Sequence, residues 1–192
     1  TGRPKGAVHS QFGRWTANIL LRANLPFRPD IDRRILLMTP FSHGSSLLTH
    51  AYLSSGSSVT LLDGVDPPAV LDILDRGECD AMFAPPTVLA KITRAAGERR
   101  FASVRAIFCG TAPLEPTLYA RVREMFGPVV RVTYGKSEVF NPITVLEAEE
   151  TEAWYGSGGQ DACVGWPAPG VEIVIRGEDG RPAPTGDGGE VL

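Results

Sequence analysis

The chain has 192 residues, 43% hydrophobic and 21% charged, a balance suited to one domain with a buried core rather than to a disordered segment. A net charge of -3 argues against a surface built to grip nucleic-acid phosphates. No apolar run approaches the length of a membrane span, no secretory signal opens the chain, and Cys79, Cys109 and Cys163 form no C-x-x-C pair, which together suit a reducing, cytoplasmic setting. In chain order, Phe12, Trp15, Ile19 and Arg22 stand at helical spacing, predicting a helix over 11–24 capped by Ser10. Strands are predicted at 35–38, 59–62, 79–83, 104–108 and 129–133. Helices are predicted at 45–53, 67–75, 86–95 and 115–126, the second opening on a proline. Short apolar runs separated by helices are what a parallel sheet with helical crossovers requires. From about Asn141 the helical signal fades. Residues 171–175, a Gly-Asp-Gly turn and 190–192 read as antiparallel strands. The expected fold is α/β, a mostly parallel sheet flanked by helices with a β-rich C-terminal tail. The division expected is an α/β subdomain over 1–140 and the start of a β-rich portion over 141–192.

Three segments carry candidate chemistry. Thr1-Gly2-Arg3-Pro4-Lys5-Gly6 is a glycine- and lysine-bearing loop ahead of a helix, able to offer backbone N–H groups and one cation to phosphate oxygens; alone it reads first as a lysine-bearing turn. It is no Walker loop, since its lysine precedes the second glycine, and Gly135-Lys136-Ser137 fails the same pattern because Val130 stands where its first glycine belongs. Phe108-Cys109-Gly110-Thr111-Ala112-Pro113-Leu114 follows a strand with small residues that leave room for a ligand beside the backbone, or forms a plain βα turn. Thr133-Tyr134-Gly135-Lys136-Ser137-Glu138 places a polar tip after another strand, where ligands of open parallel sheets gather. There Tyr134 can stack on a purine and Glu138 can hold Mg²⁺, although a core-edge tyrosine and a helix-start acid account for the same residues.

These segments, taken in order with Pro40-Phe41-Ser42-His43-Gly44 and Val164-Gly165-Trp166-Pro167-Ala168-Pro169-Gly170-Val171-Glu172, resemble the adenylate-forming superfamily over essentially the whole chain. The resemblance implies a middle portion of that family's large N-terminal domain, from an enzyme that joins a carboxylic acid to ATP and then to a thiol, most often coenzyme A. By resemblance, Thr1, Gly2, Lys5 and Gly6 end the phosphate-gripping loop. Gly110, Thr111, Ala112 and Pro113 line the adenine and acyl pockets. Thr133, Tyr134 and Gly135 hold adenine, Ser137 supplies a hydroxyl to the α-phosphate, Glu138 binds Mg²⁺, and His43 borders the substrate carboxylate. Lys5, Glu138, Ser137 and His43 are therefore the residues implied in catalysis. The implied partners are ATP, Mg²⁺, coenzyme A and a small-molecule carboxylic acid.

Two departures accompany the match. Thr111 replaces a more usual glycine, and Thr185-Gly186-Asp187, which looks like the family's ribose-binding T-G-D, is rejected because Gly188-Gly189-Glu190-Val191-Leu192 fits the turn and strand that precede it. The ribose aspartate and a lid domain with its catalytic lysine are thus expected beyond this segment. The Pro-Phe-Ser-His-Gly stretch favours acyl- or aryl-CoA ligases over peptide-synthetase adenylation domains, with fatty-acyl-AMP ligases and a non-catalytic binding fragment as alternatives. A dinucleotide-dependent oxidoreductase fails on its fingerprint, because Gly156-Ser157-Gly158-Gly159 is followed by Asp161 where the last glycine should stand. Hydrolase readings lack support, since the sequence has neither G-x-S-x-G nor H-E-x-x-H.

Overall fold

Apolar runs too short for helices and buried on both sides pair as parallel strands, because helices must then cover both faces. The computed structural model describes residues 6–139 and 142–192, with every side chain among them except that of His43. A seven-stranded sheet has the order β2-β1-β3-β4-β5-β6-β7. Its parallel part is β1 (Arg34–Leu37), β2 (Ser58–Leu61), β3 (Ala81–Phe83), β4 (Ala106–Cys109) and β5 (Val130–Tyr134). Beyond β5, β6 (Thr144–Leu146) and β7 (Trp166–Pro167) continue the same sheet antiparallel.

The crossovers follow from local signals. Helix α1 (Gln11–Ala23) starts where the Ser10 hydroxyl accepts the Gly13 N–H at 2.9 Å. Helices α3 (Pro67–Asp75), α4 (Pro86–Ala96) and α5 (Pro116–Phe126) all open on proline, whose fixed φ suits the first turn. Alternation along each strand then sorts the core into two layers. Leu36, Met82, Ile107 and Val130 pack with Leu74, Leu89 and Val122 of α3, α4 and α5. Ile35, Leu37, Phe83 and Phe108 point the other way, against Leu21 of α1 and Leu48 and Tyr52 of α2 (Ser46–Leu53). Each such side chain contributes roughly 1.5–3 kcal/mol by leaving water. Among the described residues no helix is long and apolar enough to cross a membrane.

Three expectations change. A π-helical turn, Phe41–Ser45, precedes α2, and the Ser45 hydroxyl inside it bonds to Thr39. Helix α6 (Ala148–Gly156) lies where the helical signal was expected to fade. Its sequence has no apolar stripe, and it buries Thr151 and stacks Tyr155 on Tyr119 with ring centroids 4.3 Å apart. A glutamate capping box, Glu147 with Glu150, starts it in place of the usual Ser or Thr. Finally, the strand expected at 171–175 is only β8 (Ile175–Arg176), antiparallel to β9 (Glu190–Val191), with Val174 and Leu192 exchanging backbone hydrogen bonds at its start.

Candidate functional site

The carboxyl ends of β3, β4 and β5 open on the α1–α2 side of the sheet into a cavity of about 470 Å³. Its floor is apolar: Leu21 and Leu48 from the helices meet Phe83 and Phe108 from the strands. Its rim consists of two strand-end turns. Gly110 and Thr111 follow β4, while Thr133, Tyr134, Gly135 and Ser137 come from β5 and the turn after it. Parallel strands side by side present their following turns on one edge, which is why these two segments, over twenty residues apart in sequence, meet.

The meeting is close. A Cβ built on Gly110 would lie 2.7 Å from the Thr133 carbonyl oxygen and 2.8 Å from its Oγ1. Only a glycine lets the two strand ends pack this way, and the Thr133 hydroxyl in turn donates to the Cys109 carbonyl at 3.4 Å. The next residue, Thr111, adopts φ of 69°, the only positive φ outside glycine among the described residues. A β-branched residue in the left-handed region is strained by about 1–3 kcal/mol, and this one sits on the cavity rim. Tyr134 is 37% exposed and lines the cavity, and Glu138 is exposed in the same turn.

The entry side is tied to this turn. His9 lines the cavity, and its Nε2–H donates to the Ser137 carbonyl at 2.8 Å. The segment leaving the opening loop is thereby fastened to the tip that follows β5. Gly6 is described and exposed, and Ala7 beside it reaches the cavity wall. Thr1, Gly2 and Lys5 lie outside the described residues. His43 stands in the π-helical turn, its side chain outside what is described, and its neighbours Ser42 and Gly44 both line the cavity. π-Helical turns concentrate at functional sites. Ala112 and Pro113 are exposed beyond the rim and do not line the cavity. Glu138 does not line it either.

Several wall residues carried no signal in the sequence. Leu21, Leu48, Phe83 and Phe108 read there only as core. Lys136 stands in a failed Walker pattern in the sequence, yet it brings a cation to the rim. A buried cation carried no such signal either: Arg131 on β5, 3% exposed, pairs with Glu147 and sits 5.6 Å from the Phe108 ring. No group of three or more His, Cys, Asp or Glu converges among the described residues. A metal here would depend on one protein carboxylate, such as Glu138, with phosphate oxygens and water completing its shell. That donor set fits Mg²⁺, which commonly binds through one or two carboxylates and substrate phosphates.

Known proteins resemble this chain along its whole length. The family model described as AMP-binding enzyme matches residues 1–192. A feruloyl-CoA synthase of Amycolatopsis sp is 28% identical across all of this chain, which covers 38% of that protein. A medium/long-chain-fatty-acid–CoA ligase of Mycobacterium tuberculosis is 26% identical, again over the full chain and 33% of its own length. Among solved structures, the amide bond synthetase McbA of Marinactinospora thermotolerans superposes with a TM-score of 0.85 at 29% identity, covering 100% of this chain and 37% of that one. The O-succinylbenzoate coenzyme A synthetase of Bacillus subtilis, solved with ATP and a magnesium ion, gives 0.80 at 26% identity, covering 100% of this chain and 38% of its own. The chain thus spans less than two fifths of the relatives it matches. With an adenylate-forming fold, two strand-end turns around one cavity and a family match along its whole length, the chain belongs to the AMP-binding enzyme family.

Proposed function

We propose that this chain forms the nucleotide- and acyl-binding wall of a cytoplasmic, ATP-dependent carboxylic acid–CoA ligase. The observation that carries the reading is the single cavity shared by the turns after β4 and β5, polar at its rim and apolar at its floor. In the whole enzyme, the acid's carboxylate attacks the α-phosphorus of ATP and pyrophosphate leaves. The coenzyme A thiol then displaces AMP from the acyl-adenylate to give the thioester. An amine acceptor is a second reading, favoured by the likeness to an amide bond synthetase.

The residues' part is alignment and charge stabilisation. Tyr134 offers a ring face to adenine, and Gly110 and Gly135 let the backbone approach it. The Ser137 hydroxyl reaches the α-phosphate, while Lys5 meets the departing polyphosphate. His43 borders the acid's carboxylate, and the apolar floor takes its body. Glu138 would hold magnesium, whose role when bound is to neutralise phosphate oxygens. The division into an α/β subdomain over 1–140 and the start of a β-rich portion over 141–192 belongs to the same reading.

The test is calorimetric titration of the chain with AMP, and with ATP in the presence and absence of Mg²⁺. Binding is expected, and Tyr134→Ala is expected to weaken AMP by the roughly 1–3 kcal/mol of one base–aromatic stack. E138Q is expected to remove the Mg²⁺ dependence alone. No pyrophosphate release is expected, given the share of the relatives' length that the chain spans. A chain that binds neither nucleotide refutes the reading.

A further inference from the structure

Arg131 stands on the cavity side of the sheet, since it lies beside Phe108 in the parallel register of β4 and β5. A buried arginine is costly unless it is paired, and here three groups share it. Its Nε donates to Glu147 Oε2 at 2.7 Å, and its Nη2 donates to Glu147 Oε1. The same Nη2 donates to the Asn24 carbonyl at 2.8 Å. The guanidinium also lies 5.6 Å from the Phe108 ring centroid. Two of these partners lead to the floor of the cavity. Asn24 is the C-cap of α1, and its N–H bonds the Leu21 carbonyl at 3.0 Å. Leu21 and Phe108 both line the floor. Glu147 is fixed in turn by the capping box that starts α6.

We propose that Arg131 is the positioning residue of the acyl end of the cavity, holding Leu21 and Phe108 in place and excluding acids that carry a second charge. The inference rests on the reading that a carboxylic acid occupies this floor. Arg131 touches neither nucleotide nor acid. Its charge is taken up by Glu147 and the Asn24 carbonyl behind the Phe108 ring, so among the described residues the floor, unlike the rim with Lys136, offers no cation to a second carboxylate. The acid class is therefore a monocarboxylate with an uncharged apolar or aromatic body.

The experiment compares the chain with R131M and E147Q, using AMP, decanoate, ferulate and 2-succinylbenzoate as probes. Calorimetry gives the affinities, and methyl and aromatic NMR follow Leu21 and Phe108. The unmodified chain is expected to bind decanoate or ferulate and to reject 2-succinylbenzoate, a dicarboxylate. R131M is expected to shift the Leu21 methyl and Phe108 ring resonances and to weaken the bound monocarboxylate about tenfold, while AMP stays within about twofold. E147Q keeps the arginine and its contacts with Asn24 and Phe108, so its effects are expected to be smaller in the same direction, and it serves alone if R131M fails to fold. Resonances that remain unmoved in the folded variants overturn the proposal, as does an equal loss of AMP and acid or tight binding of the dicarboxylate. Failure of the unmodified chain to bind AMP would instead overturn the ligase reading. The resonance comparison would still decide what Arg131 positions.

Discussion

Replacing Gly110 by alanine puts one methyl group against the strand end that carries Tyr134. The new Cβ would fall 2.7 Å from the Thr133 carbonyl oxygen and 2.8 Å from Oγ1, both far inside van der Waals contact. The hydroxyl can turn away. The carbonyl cannot, because it belongs to β5, whose register with β4 is held at Ile107, Phe108 and Cys109. Overpacking of this kind costs about 1–3 kcal/mol. Against it stands the reduced freedom of an alanine in the unfolded chain, about 0.4–1 kcal/mol, available because Gly110 is not among the glycines with positive φ. The net expectation is a loss of about 1–2 kcal/mol, lowering Tm by roughly 2–8 °C in a chain of this size. Urea denaturation and thermal circular dichroism measure the loss, and AMP titration well below the transition measures the displacement of Thr133 and Tyr134. G110A/T133A removes the contact with Oγ1 and keeps the one with the carbonyl, so it should recover only a minor part. A G110A protein with unchanged stability and unchanged AMP affinity would refute the close approach of the two turns.

Further substitutions probe other parts of the site and fold. T111G removes a β-branched residue from φ of 69°, so it should be as stable as the unmodified chain or more so by up to about 1 kcal/mol, checked by urea denaturation. Burial pushes the thiols of Cys79 and Cys109 up to about 12, whereas Cys163 is only half-buried, so an aromatic disulfide reagent should label Cys163 first and the other two only on unfolding. Hydrogen bonds from Arg123 and then Tyr119 hold the Glu152 carboxyl below its ordinary value. Its stabilising contribution is therefore present above the unfolded carboxylate range near pH ~4.3 and lost as pH falls through the lowered value; E152Q should lose it at neutral pH and flatten the acid limb of a stability–pH curve.

Much of this fold was legible because parallel strands and crossover helices are written locally. Ser10 before α1 and the opening prolines of α3, α4 and α5 mark their starts. Helix α6 was not legible, since it has no apolar stripe and a tyrosine stack with α5 holds it in place. The rim of the cavity was legible as strand-end turns, since Gly110, Thr111, Tyr134, Gly135 and Ser137 follow strands in the sequence. Only the tertiary structure decided what those turns enclose. Whether Phe83 or Phe108 is plain core or cavity floor depends on which strands lie side by side and on the helices above them. Arg131 makes the point most clearly: in sequence it is one polar residue in an apolar strand. Its partners Asn24 and Glu147 lie 107 and 16 residues away, and folding alone brings them to one guanidinium.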